Sequence, residues 1–555
     1  MAETILTPIT LWNTFDDTLP LKEVQLNTFT LNNAVYSQVY FSGRQVGLER
    51  VRIFGLYAMQ KQESKGSILI LPDVVDTIDG ELVNHFVNLG YDVLSVDLRG
   101  KFLSEGECTK YPDEISYANY ASTGDTFYSA PNLASETCWY EWTAVSRYAV
   151  SYLKSKRPEN KIGVIGIRNA SNVLWQLSAT DSRVDASTFL FGAGWLAYKG
   201  ISKFDEKATI ELNEERYRYI AGIEAQSYAT YVKCPVLYLS TTNSDQFDAE
   251  RALDTLSKLP NQDKYWFNFT TVAKEVLDGH SLIDIELFFA KFIAGQKIKL
   301  PSIPELEIDY EDEHIIYNLN YSNKKDVSNI FVLSSSNDLN TCDRVWYNVT
   351  PKVKPSGEVV FRQKVYGKVD FEIAFAVIKY NNGFTVSSKL EFQKVDLSSS
   401  SKTPSVLFSS FKQPVNFIVE DLKTPLLGNV FAKGRLYRIK EGPFNIAGIY
   451  SENTLTSYAV RKIADSIEED SFIKFDAYSP LKDCLLVKIT LNNKACYEKS
   501  FYLNGGEFWQ SVQLPISEFK DESAKGLKNF EDILSISISS SGAFMINNFI
   551  LIWLW

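Results

Sequence analysis

The sequence predicts an α/β domain over residues 1–300, followed by an immunoglobulin-like β-sandwich over 301–397 and a jelly-roll β-sandwich over 398–555. Three observations support this division. In the first part, short apolar runs alternate with amphipathic segments, which indicates a mostly parallel sheet with helices on both faces. Beyond a linker at Pro301, helical periodicity almost disappears. A serine run at 398–401 then marks a second linker.

Composition excludes several classes of function. The 555 residues carry a formal net charge of −11, which argues against nucleic acid or an anionic membrane as the main partner. The N-terminal residues lack a basic region followed by an apolar run, and no stretch of about 20 apolar residues occurs. The six cysteines show no spacing typical of metal ligands. We therefore expect a cytoplasmic protein with reduced thiols, no membrane span, no metal and no cofactor.

The α/β domain contains two continuous apolar runs of the kind that is buried on both faces of a parallel sheet. They span residues 67–72 and 91–100, the second with a polar end that contains Gly100. The second run is followed, after Gly100, by a long polar and aromatic loop. Because long connections of this kind often shape a site, we expect this loop to contribute to one. An amphipathic helix then begins near Trp139 and leads to the next strand.

The stretch Lys161–Ser171 is the centre of this domain. A β-branched run ends at Gly166 and Ile167, and small residues with a helical pattern follow, so we expect a strand, a sharp turn and a helix. In an α/β-hydrolase such a turn, G-x-S-x-G, exposes the nucleophilic serine. Here Gly166 is present, but Arg168 occupies the nucleophile position and Ala170 replaces the second glycine. Because a guanidinium stays protonated in proteins, Arg168 cannot be a nucleophile.

An acid and a histidine follow this turn in the order that a hydrolase triad requires. Asp245 comes after the predicted strand at 235–240, and His280 precedes the last helix of the domain. The chain has only three histidines, so the position of His280 indicates the equivalent of a triad base. Asp248 is an alternative to Asp245 as the acid.

Residues 30–300 resemble the α/β-hydrolase superfamily, in particular bacterial acetyl-xylan-esterase-like and dienelactone-hydrolase-like proteins. The resemblance covers about half of the chain and is specific for the fold, but not for the substrate. The matching pieces are Asp97-Leu98-Arg99-Gly100, Trp139-Tyr140-Glu141-Trp142, the turn after Gly166, Tyr228-Ala229 through Cys234-Pro235-Val236, Thr242-Asn243 and Gly279-His280.

The resemblance implies oxyanion-hole positions at the backbone N–H groups of Asn169 and of the turn that contains Asp73 and Val74. The charges of Asp73 and Asp76 would oppose a developing oxyanion. Ser171, one turn into the helix, is an alternative nucleophile, although a serine at a helix start is the simpler interpretation.

Three roles for Arg168 remain open from the sequence. In the first role, its side chain pairs with Asp245 and fills the pocket. In the second, it binds an anionic ligand through two hydrogen bonds, and in the third it is an ordinary surface group. The first role is favoured because charges inside pockets are usually paired.

The C-terminal part resembles the β-sandwich modules of carbohydrate-binding proteins in the segment Phe508–Phe519. The resemblance implies exposed aromatic rings for a glycan, with Trp509 and Trp555 as candidates, although Trp509 has the pattern of a core residue. The terminal run from Phe549 has no polar alternation, so we expect both faces of this strand to be covered. Trp553 or Trp555 is then predicted to pack at a domain or subunit interface.

These observations favour a catalytically inactive α/β-hydrolase homologue that serves in binding or assembly, with a glycan, a protein or a second copy of the chain as partner. Two alternatives remain open. One is an active carbohydrate or acyl esterase, a carboxylic ester hydrolase with a non-standard nucleophile. The other is a structural protein that self-assembles.

Overall fold

The protein is described by a computed structural model in which the chain divides into two compact units. The first unit comprises Met1–Thr270, Lys274–Ser302 and Asn382–Val386. The second comprises Thr271–Ala273, Ile303–Asn381 and Ser387–Trp555. The structure describes residues 5–102, 106–199, 201, 203–204, 212–244, 247–271, 277, 279–339, 341, 344, 346–349, 351–353, 359–365, 368–398, 405–408, 418–420, 438–443, 446–457, 460, 467, 471–528, 530 and 532–552.

The first unit is built on a nine-stranded sheet with the strand order β1-β2-β3-β5-β4-β6-β7-β8-β9. The strands β1–β3 pair in antiparallel fashion, and β3 is also antiparallel to β5. From β5 to β8 the neighbouring strands are parallel. The strands are β1 (Val24–Leu31), β2 (Ala34–Val46), β3 (Glu49–Gln60), β4 (Ser67–Leu71), β5 (Asp92–Val96), β6 (Ile162–Ile167), β7 (Val184–Leu190), β8 (Val236–Thr241) and β9 (Tyr265–Thr271).

Eight α-helices accompany this sheet in the described part of the chain. They are α1 (Pro8–Trp12), α2 (Gly80–Asn88), α3 (Cys138–Lys156), α4 (Asn169–Thr180), α5 (Glu214–Gly222), α6 (Ala225–Tyr228), α7 (Ala249–Ser257) and α8 (Gly279–Phe292). The helices α2 and α8 touch through Phe86 and Phe289, whose ring centroids lie 6.2 Å apart, while α3 packs against α4. None of these helices has the length and apolar character needed to cross a membrane.

The sheet order explains where a site can form. The chain passes from β4 to its neighbour β5 on one side, and β6 then returns to the other side of β4. In open α/β sheets, such a reversal leaves a crevice at the carboxyl ends of the two strands on which ligands bind. Asp73 follows β4 and Arg168 follows β6, so both lie at this reversal. The strand–turn–helix element that the sequence predicts around Arg168 is present where β6 ends and α4 begins.

The predicted buried strands have a clear physical basis. Every residue of β4 and β5 is buried, as expected for strands covered on both faces. The helix α2 begins after Asp79, whose carboxylate accepts hydrogen bonds from the N–H groups of Glu81 and Leu82. The helix α3 begins after Thr137 in the same way. The helices α5 and α6 follow residues 205–211, which lie outside the described part.

In the described part of the chain beyond residue 302, the strands form four sheets. The sheet orders are β10-β11-β15-β14, then β13-β12-β16-β17 with β18 on β16, then β21-β22-β29-β24-β27 with β19 on β29, and finally β20-β23-β28-β25-β26. The strands are β10 (Glu305–Glu311), β11 (His314–Asn320), β12 (Val327–Ser336), β13 (Tyr347–Asn348), β14 (Pro351–Val353), β15 (Val359–Lys364), β16 (Lys368–Tyr380), β17 (Thr385–Ser387), β18 (Glu391–Ser398), β19 (Ser405–Phe408), β20 (Ile418–Glu420), β21 (Arg438–Glu441), β22 (Ala447–Ser451), β23 (Thr454–Ser457), β24 (Phe472–Tyr478), β25 (Asp483–Leu491), β26 (Cys496–Leu503), β27 (Gln510–Pro515), β28 (Ile533–Ser539) and β29 (Phe544–Ile552).

Two expectations for the C-terminal strands can be compared with the structure. Trp509 is 3% exposed, and its indole N–H donates to the carbonyl of Pro443, so its ring is not a glycan platform. The physical reason is that its strand-like segment turns the ring into the core. The strand β29 lies between β22 and β24, and Phe549 is fully buried. The expectations for Trp553 and Trp555 concern residues outside the described part.

Candidate functional site

A strained backbone turn joins β6 to α4. Arg168 has φ 52° and ψ −115°, a conformation that non-glycine residues rarely adopt. The turn is compact because two glycines lie against it. A Cβ atom on Gly192 would lie 2.5 Å from the carbonyl oxygen of Arg168, and one on Gly166 would lie 2.8 Å from that of Ala170. The sharp strand-to-helix turn therefore exists, and its tip is an arginine.

Hydrogen bonds hold this turn against the next strand. The N–H of Arg168 donates to the carbonyl of Leu190 at 2.8 Å. The hydroxyl of Ser171 donates to the carbonyl of Gly192 at 2.7 Å, and the indole N–H of Trp175 donates to the same oxygen at 3.2 Å. Ser171 is fully buried. Its hydroxyl is thus a structural donor on the inner side of the turn, as a helix-start serine would be.

Two carboxylates face the Arg168 guanidinium from the turn after β4. Its Nη1 atom lies 3.6 Å from Asp76 Oδ2 and 3.9 Å from Asp73 Oδ2. The side chain of Asp73 is 3% exposed, whereas that of Asp76 is 54% exposed. The side-chain amide of Asn169 donates to Asp73 Oδ1 at 3.0 Å. The guanidinium of Arg168 therefore lies close to the carboxylates of Asp73 and Asp76 in the same site.

The pKa of Asp73 is raised to about 6, mainly by burial and also by the neighbouring charge of Asp76. The hydrogen bond from Asn169, the charge of Arg168 and the backbone N–H of Val74 act in the opposite direction. The N–H of Val74 is therefore engaged by this carboxylate. This N–H is one of the donors that the sequence assigns to the oxyanion hole, and it faces a negative charge instead.

We expect the Asp73→Asn variant to gain stability relative to the wild type as the pH rises. A folded-state pKa raised from 3.8 to about 6 corresponds to roughly 3 kcal/mol. The stability that this raised pKa gives the wild type is complete below pH 3.8 and is lost as the pH passes through about 6. Denaturant unfolding between pH 4 and pH 7 measures the difference between the two proteins. Parallel pH profiles would show that Asp73 is not shifted in this way.

A cavity of about 250 Å³ opens beside Arg168. Its wall combines aromatic rings with two cations and one buried carboxylate, and part of it comes from the long loop after β5, as the sequence predicts. The lining residues are Asp73, Val75, Tyr120, Phe127, Tyr128, Arg168, Asn169, Leu196, Lys199 and Phe247.

Three lining residues were not anticipated from the sequence, namely Leu196, Lys199 and Phe247. The first two follow β7 and the third follows β8. The general rule that ligands bind at the carboxyl ends of parallel strands is the signal that could have identified these segments.

The structure describes the predicted triad only in part. His280 is the second residue of α8, and its side chain lies outside the described part of the chain, as does the whole of Asp245. Asp248 has a structural role at the start of α7. Its carboxylate accepts from the N–H groups of Glu250 and Arg251 at 2.8 and 3.2 Å. The role of Asp248 as the alternative triad acid stays a prediction.

No protein-family model matches the sequence, and neither does any curated protein. Among solved structures, the chain is similar to the acetyl xylan esterase from Paenibacillus sp. R4, with 13% identity and a TM-score of 0.39 over 51% of this chain and 92% of that one. It is also similar to acetyl xylan esterase 1 from Thermoanaerobacterium sp., with 14% identity and a TM-score of 0.37 over 52% and 90% of the two chains. A putative dienelactone hydrolase from Klebsiella pneumoniae has 10% identity and a TM-score of 0.33 over 48% and 100%.

Proposed function

We propose that this protein is a catalytically inactive α/β-hydrolase homologue that serves in binding or assembly. The observation that carries the proposal is the strained turn after β6, where the side chain at the nucleophile position is the guanidinium of Arg168. Nucleophilic catalysis in this fold needs a hydroxyl or thiol there, activated by a histidine. A guanidinium has neither a removable proton near neutral pH nor an available lone pair.

The oxyanion site supports the same conclusion. Acyl transfer requires N–H donors that point at the developing negative charge. In this protein the carboxylate of Asp73 lies beside the turn, interacts with the N–H of Val74 and accepts from the side chain of Asn169. An ionised carboxylate at this place repels an oxyanion. Under this proposal the nucleophile is replaced by a guanidinium, and one of the two expected oxyanion donors, the N–H of Val74, is engaged by a carboxylate.

The alternative proposal is an active carboxylic ester hydrolase with a non-standard nucleophile. Ser171 is the nearest hydroxyl in sequence, but it is fully buried and donates to Gly192. Under this alternative, His280 and Asp245 would still act as base and acid. No observation at the turn favours it.

The cavity supports a binding role for a small molecule. Its volume of about 250 Å³ is slightly below the range of about 300–1,000 Å³ that is common for small-molecule sites. Aromatic rings such as Tyr120 and Phe127 offer apolar contacts, and Arg168 and Lys199 supply positive charge. We infer that a ligand of this site is a small organic molecule that is bound and not cleaved.

We further propose that the strands beyond residue 302 form two modules, an immunoglobulin-like sandwich over 301–397 and a jelly roll over 398–555. Supporting this division, β10–β18 form one pair of sheets and β19–β29 form another. Each pair is accompanied by its own cluster of buried apolar side chains. Such modules suit a protein that binds or assembles.

An ester-hydrolysis assay tests the proposed inactivity. With activated acyl esters, the wild type and the His280→Ala variant are expected to show the same rate, equal to the uncatalysed background. A turnover that survives purification and is abolished by His280→Ala would establish the active-esterase alternative. The Arg168→Ser variant with Ala170→Gly is the matched reconstruction, and we expect little activity from it because Asp73 remains.

A further inference from the structure

The strand β1, at one edge of the sheet in the first unit, is exposed along its whole length. All eight residues of β1 are exposed, and in the described part of the chain β1 pairs with β2 alone. Its sequence, VQLNTFTL, contains no charge and no proline. Natural proteins usually protect an edge strand with charges, proline, a short length or a covering element. Such a strand therefore has the properties of a pairing surface.

A β-bulge sets which side chains share a face. Gln25 pairs with Val39 and Asn27 with Gln38, so one extra residue lies between them. Because of this extra residue, Val24 returns to the same face as Phe29 and Leu31. The three apolar side chains are 50%, 51% and 44% exposed, respectively. The bulge thus collects apolar surface on one side of the sheet edge.

An aromatic ladder on this face ends at the sheet edge. Phe29 lies opposite Tyr36 of β2, and the two rings stack with centroids 5.0 Å apart and an interplanar angle of 8°. Cross-strand aromatic pairs stabilise sheets. The position next to Phe29 on its outer side would belong to a further strand.

We propose that a second copy of this chain pairs its β1 with β1 in antiparallel fashion, about a two-fold axis at Phe29, to form a symmetric dimer. In this register Phe29 of one copy lies opposite Phe29 of the other, Thr28 lies opposite Thr30, and Asn27 lies opposite Leu31. The two side chains of each pair project to the same face of the combined sheet, because β1 is regular after the bulge. The dimer continues the sheet across both copies, and the ladder of Tyr36 and Phe29 continues through the axis.

The absence of charge on β1 allows a second copy to pair with it. A chain with a net charge of −11 repels its copies over most of its surface, and β1 is an eight-residue window without charge. When a strand of a different protein adds to a sheet edge, main-chain hydrogen bonds give the affinity and pockets for alternate side chains give the specificity. The strand has no charged pattern, and its central phenylalanine is complementary to itself. This inference rests on the proposed role in assembly and names a second copy of the chain as the partner. A monomeric wild type would contradict the dimer, but it would not contradict the proposed lack of hydrolysis at the Arg168 turn.

The test is the molar mass of the full-length protein in a dilution series, measured by light scattering after size exclusion. The wild type is expected to form a dimer that dissociates on dilution. The Phe29→Lys variant should weaken the dimer by at least about tenfold, because two copies of the new charge would face each other at the axis. The matched control is Tyr502→Lys, which changes a 76% exposed aromatic residue on another edge strand, β26, and should leave the dimer unchanged.

Crosslinking tests the register directly. Opposed residues of an antiparallel pair have Cα atoms about 4.5–5.5 Å apart, within the range of disulfides. The Phe29→Cys variant should form a covalent dimer on mild oxidation, whereas Tyr502→Cys and the wild type should not. A wild type that stays monomeric, as expected if an extended segment of another protein covers β1, would overturn the proposal. A dimer that persists in Phe29→Lys and does not crosslink through Phe29→Cys would also overturn it.

Discussion

Replacing Trp175 by alanine is expected to lower the free energy of unfolding of the first unit by about 3–5 kcal/mol. The side chain is fully buried in α4, where its ring stacks on Phe189 of β7 with centroids 4.0 Å apart. Its indole N–H also donates to the carbonyl of Gly192, which lies against the Arg168 turn. The variant therefore leaves a cavity and removes one of the hydrogen bonds that hold the turn.

Denaturant unfolding measures this loss. The matched control is Tyr217→Ala, which removes an aromatic side chain that is 51% exposed and should change stability by no more than about 0.5 kcal/mol. A loss of less than about 1 kcal/mol in the free energy of unfolding of Trp175→Ala would contradict the close packing of α4 on β7.

The Arg44→Met variant is expected to destabilise the protein by about 3–5 kcal/mol. Arg44 of β2 reaches Glu141 of α3 with two nitrogen atoms, one of them Nε at 2.7 Å from Oε2. The Glu141 side chain has no exposed surface. Burial raises the pKa of Glu141, and the Arg44 guanidinium opposes this shift. Without Arg44 the buried carboxylate has lost its counter-charge, and its pKa rises further.

The pH dependence distinguishes this explanation from a simple loss of packing. A carboxyl group with a raised folded-state pKa contributes stability at low pH and loses it as the pH passes through that pKa. The penalty of Arg44→Met should therefore be larger at pH 8 than at pH 5. The control is the double change Arg44→Met with Glu141→Gln, which removes both charges and should recover much of the loss. A penalty independent of pH in the single variant would contradict the buried ion pair.

The first half of the fold could be predicted well because local patterns and tertiary demands agree there. The runs at β4 and β5 are continuously apolar, and the structure buries every residue in them. The predicted strand, turn and helix around Arg168 are present as β6, the strained residue and α4. Trp139 and Glu141 of the matching pieces are buried in α3, where the latter binds Arg44.

The candidate site was harder to predict because its parts are distant in sequence. That Asp76 lies 3.6 Å from Arg168 depends on the reversal of strand order beside β4, which no local pattern encodes. The favoured pairing of Arg168 with Asp245 stays a prediction, since Asp245 is outside the described residues. Lys199 and Phe247 enter the cavity wall from separate strand ends. For Trp509, by contrast, the local pattern alone predicted burial in the core, and the structure buries this side chain.

Intact-mass analysis after treatment with a fluorophosphonate tests the central claim most directly, because this reagent phosphonylates an activated serine without requiring the right ester. The wild type is predicted to keep its unmodified mass, since the turn presents Arg168 and Ser171 is buried. The Arg168→Ser variant is the matched protein with a hydroxyl at the same tip. A single adduct on the wild type that maps to one residue and is lost in His280→Ala would reveal an activated nucleophile and contradict the account.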